Sequence, residues 1–286
     1  MAAKLLLIAL AVTLLFLPAS AIDFEVDQFL VKTVINTGES SVQNIKVTNT
    51  DTIQGDFVIT HVGLNDILSV SEESFSLAPA ASKDVSLSFA SFVTGTGYAK
   101  AGVYTGKINI KSNEELMRVP IIFELQHADV IIDNKFSISP EHSNNIGSGE
   151  TLPLDVTLIN LRGSDSEQVN LRYYIKDLND KIIFDETESV SFGTSASFTK
   201  YIAIPKAESG SYVIGIESDV DGNTGTSSSL IDIKGASNVI TEKIEDFLNK
   251  HFFVIIIIIA VLSLMITVVA TRNVIPKAEA PKRKRN

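Results

Sequence analysis

The residue types that carry most enzyme chemistry are thinly spread in this sequence. There are four histidines, His61, His127, His142 and His251, and no cysteine. No two histidines share the H-x-x-x-H or H-E-x-x-H spacing that places two ring nitrogens on one metal, so a zinc site is not expected. A Gly-x-Ser-x-Gly elbow, a phosphate loop and a dinucleotide fingerprint after a strand are all missing from the sequence. Asp219-Val220-Asp221-Gly222-Asn223 offers oxygen ligands at alternate positions, as a calcium loop does. The sixth and twelfth positions of that loop require Gly and Glu, and here they are Thr224 and Leu230. Asp221-Gly222 between two alternating runs is instead a hairpin signature, and Asn179-Asp180 reads as the tip of another hairpin. We therefore expect no catalytic residue, no bound metal and no cofactor.

Two aromatic residues are candidates for partner contact. Phe92 and Tyr98 stand in a Gly- and Thr-rich segment, residues 91–101. Loops at the end of a sandwich commonly carry binding residues. These aromatics either anchor a partner or cap the open end of their own core. Tyr104 and Tyr212 each follow a Gly-x pair, Gly102-Val103 and Gly210-Ser211. There the ring enters a core while the hydroxyl bonds to backbone, a structural role.

The elements that position these residues read as strands. Residues 41–48, 83–89, 103–110, 118–125, 152–161, 169–176, 197–204, 212–217 and 229–233 alternate apolar and polar residues, with Gly, Asn, Asp, Ser or Pro between them. Short alternating runs at this spacing predict antiparallel sandwiches with one face in a core and one in water. A repeat accompanies them. Asn49 and Asn160 each end an alternating strand, 111 residues apart, and Tyr104 and Tyr212 are 108 apart. Near-equal offsets predict an all-β chain of two tandem immunoglobulin-like β-sandwiches, residues 22–127 and 128–235.

The string Asn49-Thr50-Asp51, the turn around Pro79 to Lys83 and Gly102-Val103-Tyr104 resemble motifs of the immunoglobulin-like modules in archaeal and bacterial membrane-anchored surface proteins, namely the cell-adhesion-related (CARDB) group and S-layer-like proteins. Ala80 or Ala81 stands where those modules carry Gly. The resemblance implies a surface or adhesion role and carries over no functional residue.

The two ends predict a topology. Residues 1–21 combine Lys4, a short apolar run and small residues at Ala19 and Ala21, the pattern of a cleaved signal peptide. Residues 252–270 carry no charge, and fourteen of the nineteen are Phe, Ile, Leu or Val. As a helix this run is about 28 Å long, close to the ~30 Å hydrocarbon core of a bilayer, and its insertion gains about 4 to 8 kcal/mol. We expect a transmembrane helix at 252–271, preceded by an amphipathic stalk helix at 236–251. Arg272, Lys277, Lys282, Arg283, Lys284 and Arg285 make residues 272–286 a basic tail, which the positive-inside rule places in the cytoplasm. The expected protein is thus a single-pass type I membrane protein with most of its chain outside the cytoplasm.

Charge and composition narrow the partners. The net charge is −10; the leader contributes +1 and the tail +5, which leaves −16 on residues 22–271. Such an acidic exterior argues against nucleic acid or anionic lipid as its partner and favours solubility, a cationic partner or surface cations, so no nucleic-acid partner is expected. Without Cys and without an Asn-x-Ser/Thr sequon, the ectodomain relies on its core alone and fits an archaeal or bacterial source. Two functions are expected from this reading. One is a surface-anchored binding or structural module whose partner is another surface or membrane protein, or a glycan. The alternative is an accessory subunit of a secretion, assembly or transport complex in the membrane.

Overall fold

A computed structural model describes residues 23–93, 97–113, 115–139, 146–163, 166–235 and 250. The expected signal peptide, stalk, transmembrane helix and basic tail lie outside the described residues, apart from Lys250. The chain divides between Lys234 and Gly235, and the first of these units carries the fold described here.

Among the described residues up to 235, every regular element is a β-strand. The first half comprises β1 (Phe24–Val26), β2 (Val31–Asn36), β3 (Ser40–Asn49), β4 (Gly55–Val62), β5 (Leu68–Val70), β6 (Ser74–Leu77), β7 (Ser82–Ala90), β8 (Phe92–Val93), β9 (Gly97–Tyr98), β10 (Gly102–Ser112) and β11 (Glu115–Gln126). They form a four-stranded sheet in the order β1-β3-β7-β5, a five-stranded sheet in the order β2-β11-β10-β4-β6, and a separate β8-β9 ribbon. The second half comprises β12 (Ile132–Ile138), β13 (Ile146–Gly147), β14 (Thr151–Asn160), β15 (Glu167–Asp177), β16 (Ile182–Phe192), β17 (Ser195–Ala203), β18 (Gly210–Val220) and β19 (Asn223–Lys234). Their sheets run β12-β14-β17 and β13-β19-β18-β15-β16. In each half a short strand pairs parallel with the last strand, β2 with β11 and β13 with β19, and the other pairs are antiparallel. The same strand order appears twice, and it is that of an immunoglobulin-like sandwich. The second copy lacks a counterpart of β5 among the described residues.

Alternation builds the cores. In β3, Ile45 and Val47 point inward beside Val85 and Leu87 of β7, and they face Phe57, Ile59, Ile108 and Ile110 of the opposite sheet in one cluster. Phe89 and Phe123 stack across the two sheets with centroids 5.7 Å apart, an aromatic contact worth about 0.5 to 1.5 kcal/mol beyond its area. The second core gathers Leu154, Val156, Leu171, Tyr173, Ile214 and Ile231.

The strand β11 departs from simple alternation, because every residue from Val119 to Leu125 is buried. Val119, Ile121, Phe123 and Leu125 fill the first core, while Ile122 faces the other way into a third cluster with Val103, Tyr174 and Val213. The outward faces of the two five-stranded sheets therefore meet, and β11 is covered on both sides.

Candidate functional site

Three places in the described chain combine polar chemistry with defined geometry. The first is the seam between the sandwiches. Glu124, on β11, is 3% exposed and accepts an ion pair from Lys32 at 2.7 Å. It also accepts the hydroxyls of Ser228 and, at 3.4 Å, Thr226, both on β19 of the other sandwich. Lys32 donates onward to the Ser228 carbonyl at 2.6 Å. At the other end of the seam Lys176 of β15 is buried, donating to the Val103 carbonyl at 2.7 Å and to Asp180 at 2.9 Å. Its ammonium lies 5.3 Å from the Tyr174 ring centroid and 5.8 Å from that of Tyr104. Asp180, at the β15–β16 turn, also receives the Thr105 amide at 3.2 Å. Buried charges of this kind are stable only when their hydrogen-bonding groups are met, so each set fixes one sandwich against the other.

The second place is the side of the second sandwich formed by β16 and β17, each at the end of its sheet. Lys200 of β17 bridges to Glu186 at 2.7 Å and Glu188 at 2.9 Å on β16, 4.9 Å from the Tyr173 ring centroid. The Tyr173 hydroxyl donates to Glu188 at 2.7 Å. Burial alone would raise the Glu188 carboxyl, but hydrogen bonds from Lys200 and Tyr173 outweigh it and hold its pKa below the ordinary range. Burial and the bond to Glu188 push the Tyr173 hydroxyl upward. On the opposite, outward face of this sheet Arg172 grips Asp185 through Nε at 2.9 Å and Nη2 at 2.7 Å, which lowers the Asp185 pKa. Inward-pointing charges such as Lys200, Glu186 and Glu188 guard exposed sheet edges against pairing with other chains.

The third place is the segment between β7 and β10. Phe92 of β8 is 56% exposed and pairs in backbone register with Tyr98 of β9. The sequence candidates Phe92 and Tyr98 thus fall opposite one another on a short ribbon; the Tyr98 side chain lies outside the description. The ribbon is rooted in buried Ser91, whose Oγ donates to the Glu39 carbonyl at 3.1 Å and accepts the Gly38 amide at 2.9 Å. Ala19, Ala21 and the six basic tail residues Arg272, Lys277, Lys282, Arg283, Lys284 and Arg285 lie outside the described residues.

The repeat residues have structural duties. The Tyr104 hydroxyl donates to the Lys100 carbonyl at 2.5 Å and the Tyr212 hydroxyl to the Glu208 carbonyl at 3.0 Å, four residues upstream in both cases. Asn49 and Asn160 are both buried, and each side-chain oxygen accepts the amide two residues on, from Asp51 and from Arg162, at 2.9 Å. Asp221, at φ 53°, and Gly222, at φ 85°, close the β18–β19 hairpin, with Asp219 accepting the Gly222 amide at 3.3 Å and the Thr224 hydroxyl at 3.1 Å. That carboxylate serves the turn.

The seam and the Lys200 bridge were not visible in the sequence, because their partners are far apart in the chain. One signal was available for the seam. The stretch Val119-Pro120-Ile121-Ile122-Phe123 is apolar at five consecutive positions, the mark of a strand covered on both faces.

No family model and no curated protein matches this chain. Among solved structures it is similar to a protein of unknown function from Porphyromonas gingivalis W83, at 15% identity and a TM-score of 0.40, covering 75% of this chain and 99% of that one. It is also similar to the YadV chaperone, at 10% identity and a TM-score of 0.31, covering 74% of this chain and 100% of that one. The E. coli chaperone DraB matches at 13% identity and a TM-score of 0.31, covering 73% of this chain and 96% of that one. Similarity of this order says nothing about ligand or partner. The chain is an all-β protein of sandwich architecture, and no family model carries the resemblance to CARDB or S-layer-like modules further.

Proposed function

We propose that this chain is a membrane-anchored extracytoplasmic binding or structural protein that presents two immunoglobulin-like modules, held as one unit, at the cell surface. The observation that carries this reading is the seam. Glu124 and Lys176, both buried, tie the two sandwiches through Ser228 and the Val103 carbonyl. That suits presentation of surfaces at a fixed mutual geometry better than a flexible string of modules. Anchoring rests on the uncharged residues 252–270 and the basic residues after them. The test is protease treatment of intact cells expressing the chain with a C-terminal tag. Loss of the ectodomain epitope with survival of the tagged tail is expected, and trimming of the tail alone overturns the reading. A pull-down in mild detergent then separates the two roles. Recovery of a stoichiometric integral membrane partner replaces the free-standing module with an accessory subunit of a membrane complex.

A further inference from the structure

The outward face of the first five-stranded sheet is only partly covered by the second sandwich. Val103, Thr105 and Ile122 are buried at the seam, whereas the far end of β10 and the near end of β11 stay open. The strand register sets out this open face in rows. One row runs Thr60–Asn109–Arg118 across β4, β10 and β11, and the next runs Val58–Lys111–Leu116. On the seam side, Lys107 stands next to Val62. The rows border a groove of about 400 Å³ lined by three cationic side chains, Lys107, Lys111 and Arg118, and by no carboxylate among the described residues, Glu115 lining the adjoining hollow with Leu116 and Arg118.

We propose that this face is the docking surface for an acidic polypeptide segment of a partner protein. Two features argue for that occupant. Residues 22–271 carry a net −16, yet here three cations gather, spaced about 7 to 13 Å apart by the strand rise. Lys111 and Arg118 are exposed and make no ion pair among the described residues, while Lys107 is held by Asn179 at 3.2 Å. A concentration of one sign within about a Debye length of itself attracts the opposite sign. Between the cations lie exposed apolar side chains, Val58 at 48%, Val62 at 36% and Leu116 at 44%, which fit aliphatic side chains. Carboxylates and aliphatic groups along one extended strand are peptide chemistry. Among the described residues no aromatic ring lines the groove to stack a nucleic-acid base.

The proposal rests on reading the chain as a binding module but not on where the chain is anchored, so it and the protease experiment can fail separately. The test uses the purified full-length chain in detergent and a fluorescent peptide of about ten residues that alternates Glu with Val or Leu. Binding is expected to be lost with Gln in place of Glu and to weaken several-fold as salt rises from about 50 to about 300 mM. The Lys111→Glu/Arg118→Glu variant is expected to lose at least about tenfold in affinity and to gain affinity for the matching Lys–Val peptide. The exposed Lys46→Glu, on another sheet, leaves binding unchanged. Far-UV circular dichroism and the unfolding midpoint verify that each variant is folded; if the double variant is not, Lys111→Gln and Arg118→Gln singly carry the comparison. Three results overturn the proposal: no binding of the acidic peptide, binding indifferent to the charge reversals, or a preference of the same residues for phosphatidylglycerol vesicles or heparin. Self-association of the chain that the double variant abolishes also overturns it, in favour of a second copy as occupant.

Discussion

Individual backbone positions set the local limits of this fold, and Ala80 is one of them. It sits in the β6–β7 turn at φ 58°, with its amide on the Asn49 carbonyl at 3.1 Å. An L-residue with a Cβ is disfavoured there by about 1 to 2 kcal/mol, part of which Gly recovers and part of which it loses through greater freedom when unfolded. Ala80→Gly is therefore expected to raise stability by about 0.5 to 1 kcal/mol and Ala80→Val to lower it, read as opposite shifts of the urea midpoint. Gly215 is the converse case. A Cβ there would lie 2.6 Å from the Tyr174 ring, so the glycine in β18 lets the tyrosine of β15 lie flat across it and reach the seam. Sequence alone marks Gly215 as a weak point in a strand; the aromatic that covers it comes from the neighbouring strand.

At the scale of elements, the second sandwich differs from the first in how its side is closed. The first has short strands β5 and β6 at its sheet ends, whereas the second ends in the long β16 and β17. Lys200, Glu188, Glu186 and Tyr173 join these two strands. The Glu188 pKa is depressed in the folded chain, so its contribution is fully present above the unfolded value of about 4.3 and is lost as pH falls through the folded one. For Lys200, burial acts downward but bonds to Glu186 and Glu188 raise the pKa overall, so its contribution is present below about 10.4 and is lost as pH rises through the folded value. Lys200→Met is expected to cost about 1 to 2 kcal/mol at neutral pH, discounted for the partial exposure of its partners. The gap between wild type and variant is expected to shrink between neutral pH and an acid pH below the depressed Glu188 pKa, where the carboxyl is protonated in both. Urea titrations at the two pH values measure it, and a gap independent of pH would show the network to be inert. Much of this level was legible from residues. The alternation of residues 41–48 and 83–89, the Gly-x-Tyr pairs and Asp221-Gly222 all have local causes, and the structure places strands, hydroxyl-capped tyrosines and a hairpin there. The open side of the second sandwich was not legible, because a strand that is not there leaves no pattern. The basic face was hidden for another reason: Lys107-x-Asn109-x-Lys111 looks like any solvated strand face, and only the β10–β11 register puts Arg118 beside it.

At the scale of the whole molecule, each sandwich has its own hydrophobic core, and a third, smaller cluster joins them. Two independent cores would by default unfold independently. What couples them is Ile122, Tyr174 and Val213 together with the Glu124 and Lys176 bonds. Glu124→Ala removes the acceptor for Ser228 and Thr226 and takes from Lys32 its ion-pair partner. Because Lys32 is 36% exposed, water relieves some of that loss, and the expected cost is about 2 to 3 kcal/mol, below that of a fully buried pair. The more telling readout is cooperativity. Calorimetry of the wild-type chain is expected to show the two sandwiches melting together, and Glu124→Ala combined with Tyr174→Ala is expected to split that transition in two, since neither change touches the larger cores. A double-mutant cycle between Glu124→Ala and Ser228→Ala isolates the bond across the seam, with an expected coupling of about 1 to 3 kcal/mol. Additive effects, together with a transition that stays single, would mean that the modules are held by apolar contact alone and that the buried carboxylate has no part in fixing them to one another.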